Sequence, residues 1–590
     1  MKTVKSIYLL LVACMAIFLT SCDKNEDPVV PVNPTLSPSS VSVKQGEVTT
    51  VSISGGEAPY TASSSSTATA TISVSGNTLT VTGVAVGNAT ITVTTKDSGK
   101  AELRVTVLEA DAPPPPPEEK NPNDDGTGET FLFGPDYTQI GSGERIFELT
   151  KSHTIKKGVY TLVGWIYVKE GATLTIEPGT IIKGSNKSYD GTEAATGSSI
   201  IIERGAKIMA EGTVNAPIVF TSAQPKGQRK AADWGGIIIC GRAVNNQGEM
   251  TIEGGVNARH GGNDNNDNSG VMRYCRLEFG GYPFSTDNEI NGLTLGSVGS
   301  GTTLEYIQVS CAGDDSFEWF GGKVNAKHLI AYHGWDDDFD TDNGFSGNLQ
   351  FLLSVRHPRI ADTSNSNSFE SDNNADGSTN EPYTTCVFSN VTIVGPLGQD
   401  ENFVNDNSYI DGLSWGEDAG IKTGIFQSAM QIRRNSRLSC FNSVAMGYPV
   451  GLILEDDKGS TTTSWAENGD LKLMNITFAG MNITGADANQ KTDGAWTGDI
   501  SANYFTKEGL NNAVLESIAD LKLKQPNSLL SAPNWGPTTG SPLLGIANFD
   551  DALLKQSFDQ VTYIGAFASD SDVDNWTKGW TNFDPQNADY

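Results

Sequence analysis

The chain has 590 residues, a length that implies more than one domain. Asp and Glu number 70 against 40 Lys and Arg, for a net charge of −30. With no basic stripe to displace counterions from phosphates, nucleic-acid binding is excluded, and uronate-rich polyanions are disfavoured unless a cation bridges. The 7 cysteines contain no CxxC pair and are widely spaced, which excludes a zinc ribbon and a small-domain disulfide framework.

Lys2 and Lys5 precede an apolar run over residues 7–18, a signal-peptide pattern too short to span a bilayer comfortably. The run ends in Leu19-Thr20-Ser21-Cys22, which resembles the lipobox of bacterial lipoproteins. That resemblance implies a signal peptide over 1–21 and lipidation of Cys22. Asp23, Glu26 and Asp27 follow, and an acidic cluster here resembles the surface-export signal of lipoproteins of the Bacteroidetes phylum. The implied address is the extracellular face of the cell outer membrane, where two or three acyl chains anchor stably. Residues 22–34 then form a short tether.

Over 35–109, alternating runs at 41–44, 49–53, 78–81, 90–93 and 103–107 are separated by Gly or Asn turns, which predicts a small β-sandwich. Gly46, the turn at 83–87 and the Ala89-Thr90-Ile91-Thr92-Val93 run resemble the bacterial Ig-like (group 2) domain, and the resemblance implies a stalk. Residues 110–130 include five consecutive prolines from 113 to 117 and read as an extended, semi-rigid linker.

Residues 131–590 are filled with short β-branched runs. Asp314-Asp315-Ser316-Phe317-Glu318 and Asp336-Asp337-Asp338-Phe339-Asp340 repeat at a step of 336 − 314 = 22 residues. Residues 304–309 match 327–332 at a step of 327 − 304 = 23. A period near 22 predicts stacked solenoid coils, none of which can bury its apolar face alone. The phrases GTIIKG, RGAKIMAEGT, PIVFTS and DWGGIIICG resemble a family of Bacteroidetes surface proteins with a pectate-lyase-like solenoid. The fold expected is all-β: an N-terminal Ig-like β-sandwich followed by a large right-handed parallel β-helix. Residues 510–523 place Leu510, Val514, Leu515, Ile518 and Leu521 on one face of a predicted helix. Trp576, Trp580 and Phe583 belong to an aromatic tail expected to cap the open end. Cys240, Cys275 and Cys311 end strand-like runs and read as buried thiols, with one inter-coil disulfide left open.

The acidic repeat is the leading candidate site. Side chains alternate along a strand, so inward Phe317 and Phe339 imply outward Glu318, Asp338 and Asp340, with Asp314 and Asp336 of the same parity. Phe369 and Glu370 read as a third layer. Strands lie about 4.8 Å apart, and like carboxylates that close need a cation, hydrogen bonds or raised pKa values. Asp314, Glu318, Asp336, Asp338, Asp340 and Glu370 are therefore candidate ligands for Ca²⁺, with a metal-free hydrogen-bonded ladder as the alternative. An EF-hand is excluded, because the twelfth position from Asp338 is Leu349.

Two catalytic readings compete with binding. Gly313-Asp314-Asp315 and Tyr332-His333-Gly334 resemble motifs of polygalacturonases, which makes Asp314, Asp315 and His333 candidate catalytic residues. The family's Asn-Thr-Asp is missing and Tyr332 replaces a glycine. Pectate lyases pair Ca²⁺ with a basic residue, and Arg433, Arg434 and Arg437 form the dense basic cluster here. Sequence distance places it about four coils from the acids, with Glu455 or Asp456 as expected partners. Trp319, Trp335 and Trp415 are candidate sugar-stacking residues. The expected function is non-catalytic glycan or nutrient capture or scaffolding at the cell surface, beside a surface glycan or an outer-membrane importer. The alternative is a polysaccharide-degrading hydrolase or lyase.

Overall fold

In the N-terminal stretch apolar residues alternate with Ser and Thr, so each strand offers one face to bury. The computed structural model describes residues 30–110, 127–185, 197–285, 288–414, 423–459, 461–488, 496–530 and 532–590. It contains two units, residues 1–119 and 120–590. In the first, one four-stranded sheet joins Thr35–Ser37, Val48–Ser54, Thr78–Gly83 and Ala70–Ser75. The other joins Ser40–Lys44, Lys100–Leu108, Gly87–Thr94 and Thr61–Ser64. Val51, Ile53, Leu79, Ile91, Val93 and Val105 are buried in one core, as the alternation requires.

The second unit is a parallel β-helix. One wall is an 11-stranded sheet running from Ile146–Leu149 through Ser199–Ile202, Gly236–Cys240, Leu293–Val298, Phe317–Gly322, Phe339–Asp342, Phe369–Ser371 and Ser428–Ile432 to Ile483–Ala486. Neighbouring strands in it pair in parallel. In the early coils the rest of the wall is two short strands, such as Thr173–Ile176 and Ile181–Gly184. From Gly270–Glu278 onward these merge into long strands: Thr303–Ser310, Asn325–Tyr332, Asn348–Val355 and Val387–Val394.

One residue in each long strand is left-handed: Tyr274 (φ 49°), Tyr306 (54°), His328 (60°), Phe351 (61°) and Asn390 (57°). Asn442 (50°) and Asn475 (58°) follow at the same corner of later coils. That conformation is uncommon for L residues, and it bends the strand so that its two halves serve different walls. Pairing lapses at the bend and resumes beyond it, as between Arg273↔Glu305 and Cys275↔Ile307. The interior is a continuous apolar core including Ile200, Ile237, Leu293, Leu295, Phe317 and Phe339. Cys240, Cys275, Cys311, Cys386 and Cys440 are all buried and unpaired, so no inter-coil disulfide forms among the described residues.

Two expectations are corrected at the C-terminus. Residues 510–523 are not one helix. Ala513–Leu515 is a strand paired with Thr477–Ala479, and Ile518–Leu521 is a 3-10 turn. The free edge of the preceding coil satisfies this backbone more fully than a short, unsupported helix would. The aromatic tail does not close the open end either. It runs back along the bent corner of the coils.

Side-chain amides at the corner hold that tail. Asn475, Asn442 and Asn390 donate to the carbonyls of Ile546, Asn548 and Tyr563, each at 2.9 Å. Gln350 donates to the Asp559 carbonyl at 2.7 Å and accepts from its N–H at 2.8 Å. Gln308 does the same with Asn582, at 2.7 and 2.9 Å. Tyr274, Tyr306 and His328 stack on one another with centroids 4.5 and 4.2 Å apart, and Trp576 and Trp580 meet this stack edge-on. The tail ends with the Tyr590 hydroxyl on the buried Glu278 carboxylate (2.6 Å) and Lys183 donating to the Tyr590 carbonyl (2.7 Å). Trp580→Ala should cost about 3–5 kcal/mol in denaturant unfolding, and limited proteolysis should cut first within 546–590. A loss under about 1 kcal/mol with no new cleavage there would mean that the tail is not docked.

Candidate metal centre

The inward side of the acidic stretch sets its register. Phe317 lies over Phe339 with ring centroids 5.6 Å apart, and Phe339 over Phe369 at 5.7 Å. All three are fully buried. Each phenylalanine therefore fixes the residue after it on the outer side. Thr294, Glu318, Asp340, Glu370 and Gln431 form one outward row, each directly above the last. The stacked phenylalanines and acids predicted from the repeat are thus brought together.

A second row precedes each strand: Asn291, Asp315, Asp337 and Asn367, each two residues before the inward residue of its coil. Asp315 Oδ1 accepts the Asp337 N–H at 2.8 Å, Asp337 Oδ1 accepts the Asn367 N–H, and Asn367 Oδ1 accepts the Ser428 N–H at 3.1 Å. Members of this row also reach the outward row one coil on. Asn291 Nδ2 donates to Glu318, and Asn367 Nδ2 donates to Gln431 at 2.9 Å. These two outer rungs are bridged by amide N–H groups. The two inner rungs are not. Asp315 meets Asp340 and Glu318 with carboxylate oxygens within 4.8 Å of one another, and Asp337 stands beside the Glu370 carboxylate, which Arg433 contacts from the far side. There a carboxyl faces a carboxyl, and only a proton or a cation can take the place that the amide N–H fills elsewhere. A second close group, Asp314, Asp315 and Asp336, also has oxygens within 4.8 Å. Asn291 is 1% exposed, and its Oδ1, beside the Glu318 contact, has no hydrogen-bond partner.

Electrostatics follow from this crowding. Burial first, then neighbouring carboxylates, pushes Asp314, Asp315, Glu318, Asp337 and Asp340 well above the ordinary carboxylate range. Burial and Asp362 push Asp336 up to about 8, and burial and Asp372 do the same to Asp342. The far end of the column is compensated differently. Arg433 contacts Glu370 and bonds Asp372 at 2.9 Å, and Arg434 bonds Asp372 at 2.5 Å. The basic cluster therefore stands one coil beyond Glu370 and touches the column. The long excursion between Phe369–Ser371 and Ser428–Ile432 makes sequence distance overstate axial distance.

Several expected site residues are placed elsewhere. Asp338 does not face outward. Strand alternation begins only at Phe339, and in the preceding turn Asp338 points inside, fully buried. There it accepts from Arg356 Nη1 at 2.9 Å and from Ser354 and Ser368. Arg356, equally buried, also donates to the carbonyls of Trp335 and Asp336 and so fixes the turn that carries the acids. His333 is held in packing contacts. Its ring lies on Tyr332 at 3.7 Å, its Nε2 meets Ser528 at 3.1 Å, and burial holds its pKa well below the usual value. Trp319 is sandwiched between Phe317 and Phe345, and Trp335 packs with Ala231 and Ile360, so neither ring can stack on a sugar. Trp415 and Cys22 lie outside the described residues. Asn291, Asp337 and Arg356 were not anticipated. The pattern Asn291-Gly-Leu293, Asp315-Ser-Phe317, Asp337-Asp-Phe339, Asn367-Ser-Phe369 is the signal that finds the second row.

The spacing also bears on hydrolysis. Inverting glycosidases hold their carboxyls about 6.5–9.5 Å apart to admit water, whereas the oxygens in both close groups lie within 4.8 Å. This spacing is too short for the inverting arrangement and close enough for the oxygens to share a cation.

Fold and site together define a parallel β-helix protein with a carboxylate-lined candidate metal centre. Residues 147–520 match the pectate-lyase-like β-helix domain and residues 32–107 the bacterial Ig-like domain (group 2). The chain belongs to the pectate-lyase-like β-helix family. A search of curated proteins finds no match. Among solved structures, domains 5–6 of the S-layer protein SbsC share 30% identity over 13% of this chain and 45% of that one, with a TM-score of 0.12. SbsC domains 4 and 5 share 32% over 13% of this chain and 53% of theirs, also with a TM-score of 0.12. The Dettilon tailspike protein shares 11% over 58% of this chain and 61% of its own, with a TM-score of 0.22. The chain thus spans less than two thirds of each of these structures.

Two outcomes test the electrostatics. The column carboxyls have folded pKa values above the unfolded value of about 3.9, so the native state binds more protons. Their stabilising contribution is complete below that value and is lost as pH rises towards about 8. In chelator, the melting temperature should therefore be lower at pH 8 than at pH 5; an equal or higher value at pH 8 would contradict the crowding. Arg356→Met should cost about 3–5 kcal/mol by stranding Asp338, and adding Asp338→Leu should restore most of that loss in denaturant melts.

Proposed function

We propose that this protein is a lipid-anchored β-helix of the outer cell surface that binds carbohydrate without cleaving it and holds Ca²⁺ in the acidic column. The observation carrying the proposal is the inner rung Asp315–Asp340, which lacks the amide donor found at Asn291–Glu318 and Asn367–Gln431. Ca²⁺ takes six to eight hard oxygen ligands at about 2.3–2.6 Å. Asp314, Asp315, Glu318, Asp336 and Asp340 offer carboxylate oxygens, and the buried Asn291 offers an uncommitted carbonyl. An ion held by these residues would supply a positive charge for sugar hydroxyls to meet, and carbohydrate capture would then depend on the cation. With Trp319 and Trp335 in the interior, these oxygens take over the recognition expected of stacked aromatics.

The anchor is assigned from Cys22 and the acidic residues after it, and the Ig-like domain serves as the stalk. A surface glycan is the ligand, and an outer-membrane importer is the partner such an address favours. A second reading, polysaccharide cleavage, is favoured by the raised carboxyl pKa values, since a general acid needs one. The carboxylate spacing argues against its inverting form, which needs about 6.5–9.5 Å.

Asp315→Asn separates these readings. Asn keeps the oxygen that accepts the Asp337 N–H and supplies the missing donor, as Asn291 and Asn367 do. The variant should melt higher than wild type in chelator and lose its response to Ca²⁺. Wild type should gain thermal stability from Ca²⁺, bind glycans on an array in a chelator-sensitive way and release no reducing ends from a polysaccharide panel. No melting shift on chelation would sink the Ca²⁺ assignment. Cleavage by wild type that disappears in Asp315→Asn would move the function to the hydrolase or lyase class.

A further inference from the structure

A second concave site lies on the same sheet several coils earlier, where the turns after Trp165–Val168, Ser199–Ile202 and Gly236–Cys240 face residues 257–259. It is an open cleft of about 460 Å³ lined by Glu170, Glu203, Arg204, Arg242, Asn257 and Arg259 with Ala258. The volume falls in the range of small-ligand clefts, about 300–1,000 Å³. The far wall is fixed in place. Ile252, Val256 and Ala258 pack on Trp165, Tyr167, Ile201 and Ile238, and the Asn257 N–H donates to the Tyr167 hydroxyl at 3.2 Å. Met250–Thr251 pairs antiparallel with Arg259–His260.

In a chain of net charge −30 this lining gathers three guanidiniums beside two carboxylates, with Glu249 behind pairing Arg204 and Arg259. Each guanidinium is oriented from one side. Arg242 Nη2 is held by Glu170. Arg204 Nη1 is held by Glu249 and by the Gly261 carbonyl at 2.9 Å. Arg259 Nη2 is held by the Glu249 carbonyl at 3.1 Å and its carboxylate at 3.3 Å. Glu203 is engaged by Lys169 at 2.6 Å. A guanidinium has five N–H donors in a planar fork, and these contacts engage one nitrogen of each. What remains is a preoriented set of donors that matches a planar or tetrahedral oxyanion, with Glu170, Glu203 and Asn257 beside it to take hydroxyls.

The geometry points to a cation-independent subsite for a short oligosaccharide that carries one oxyanion, a uronate carboxylate or a sulfate ester, gripped by Arg204, Arg242 and Arg259. This site goes beyond the Ca²⁺ column: it involves other coils and guanidinium donors in place of carboxylates. The remaining acidity of the chain limits it to short ligands with a single anionic group.

The test is calorimetric titration of the full chain in chelator with three oligosaccharides of equal length, one neutral, one with a terminal uronate and one with a single sulfate. The anionic sugars should bind, more weakly as salt is added, and the neutral one should not. Arg242 and Arg259 have side chains 41% and 52% exposed, so replacing either leaves the core intact. Arg242→Ala and Arg259→Ala should each weaken anionic-sugar binding at least tenfold with unchanged melting temperature, and Asp315→Asn should bind as wild type does. Preference between uronate and sulfate identifies the source of the oxyanion. Failure of both anionic sugars to bind wild type, or unchanged binding in both arginine variants, would overturn the assignment. Binding lost in Asp315→Asn but retained in the arginine variants would return it to the acidic column.

Discussion

A parallel, in-register sheet allows no side chain to avoid its counterpart on the next coil, about 4.8 Å away. For apolar residues this is an advantage. Phe317, Phe339 and Phe369 stack ring on ring and lock the coils in phase. For charged residues it is a liability, because the same lock sets Glu318 under Asp340 and Asp340 under Glu370. The features of the candidate site answer that one constraint. The column cannot relax by sliding, since a one-residue slip would turn the phenylalanines out and the acids in.

The chain meets the liability differently on successive coils. At the rungs on either side it uses amides, Asn291 and Asn367, whose N–H groups bridge to the neighbouring row. At the far end it uses guanidiniums, Arg433 and Arg434. In between, where Asp315 meets Asp340, it uses neither, and carboxyl opposes carboxyl. Inside the coil, Arg356 and Asp338 form a pair whose energetic worth is small compared with the cost of breaking it. Its structural contribution is positional, because Arg356 also ties down the turn from which Asp336 and Asp337 project. The fold alone would not assign a function. The assignment rests on which oxygens the coils crowd together and which donors they withhold.

Much of this was legible in the sequence, for a definite reason. The repeat is short and each copy is marked by phenylalanine, so strand parity carries Glu318, Asp340 and Glu370 to one face. Parity fails where the strand stops. Asp338 sits in a turn, and its direction is set by Arg356, a residue 18 positions on. The exposure of Trp319 and Trp335 depends on Phe345 and Ile360, which other segments supply. The reach of Arg433 was hidden because coils differ in length. The helix expected over 510–523 had the right apolar spacing, but the unpaired edge of the preceding coil claimed its backbone. The tail likewise has plain aromatic content, yet nothing local indicates that it is received by Asn and Gln amides from coils far apart in sequence.

That returning tail changes how the solenoid should come apart. Stacked coils ordinarily touch only their neighbours, so stability sums locally and an array can fray from either end. Here one strand of chain bonds Asn475 near the last coil, Gln350 and Gln308 in the middle, and Lys183 near the first. A contact between residues 183 and 590 closes a loop of most of the unit, and it can form only after the intervening coils are stacked. The tail therefore acts as a late-forming clasp that binds a modular array into a single cooperative body, and an array held in this way loses its coils together.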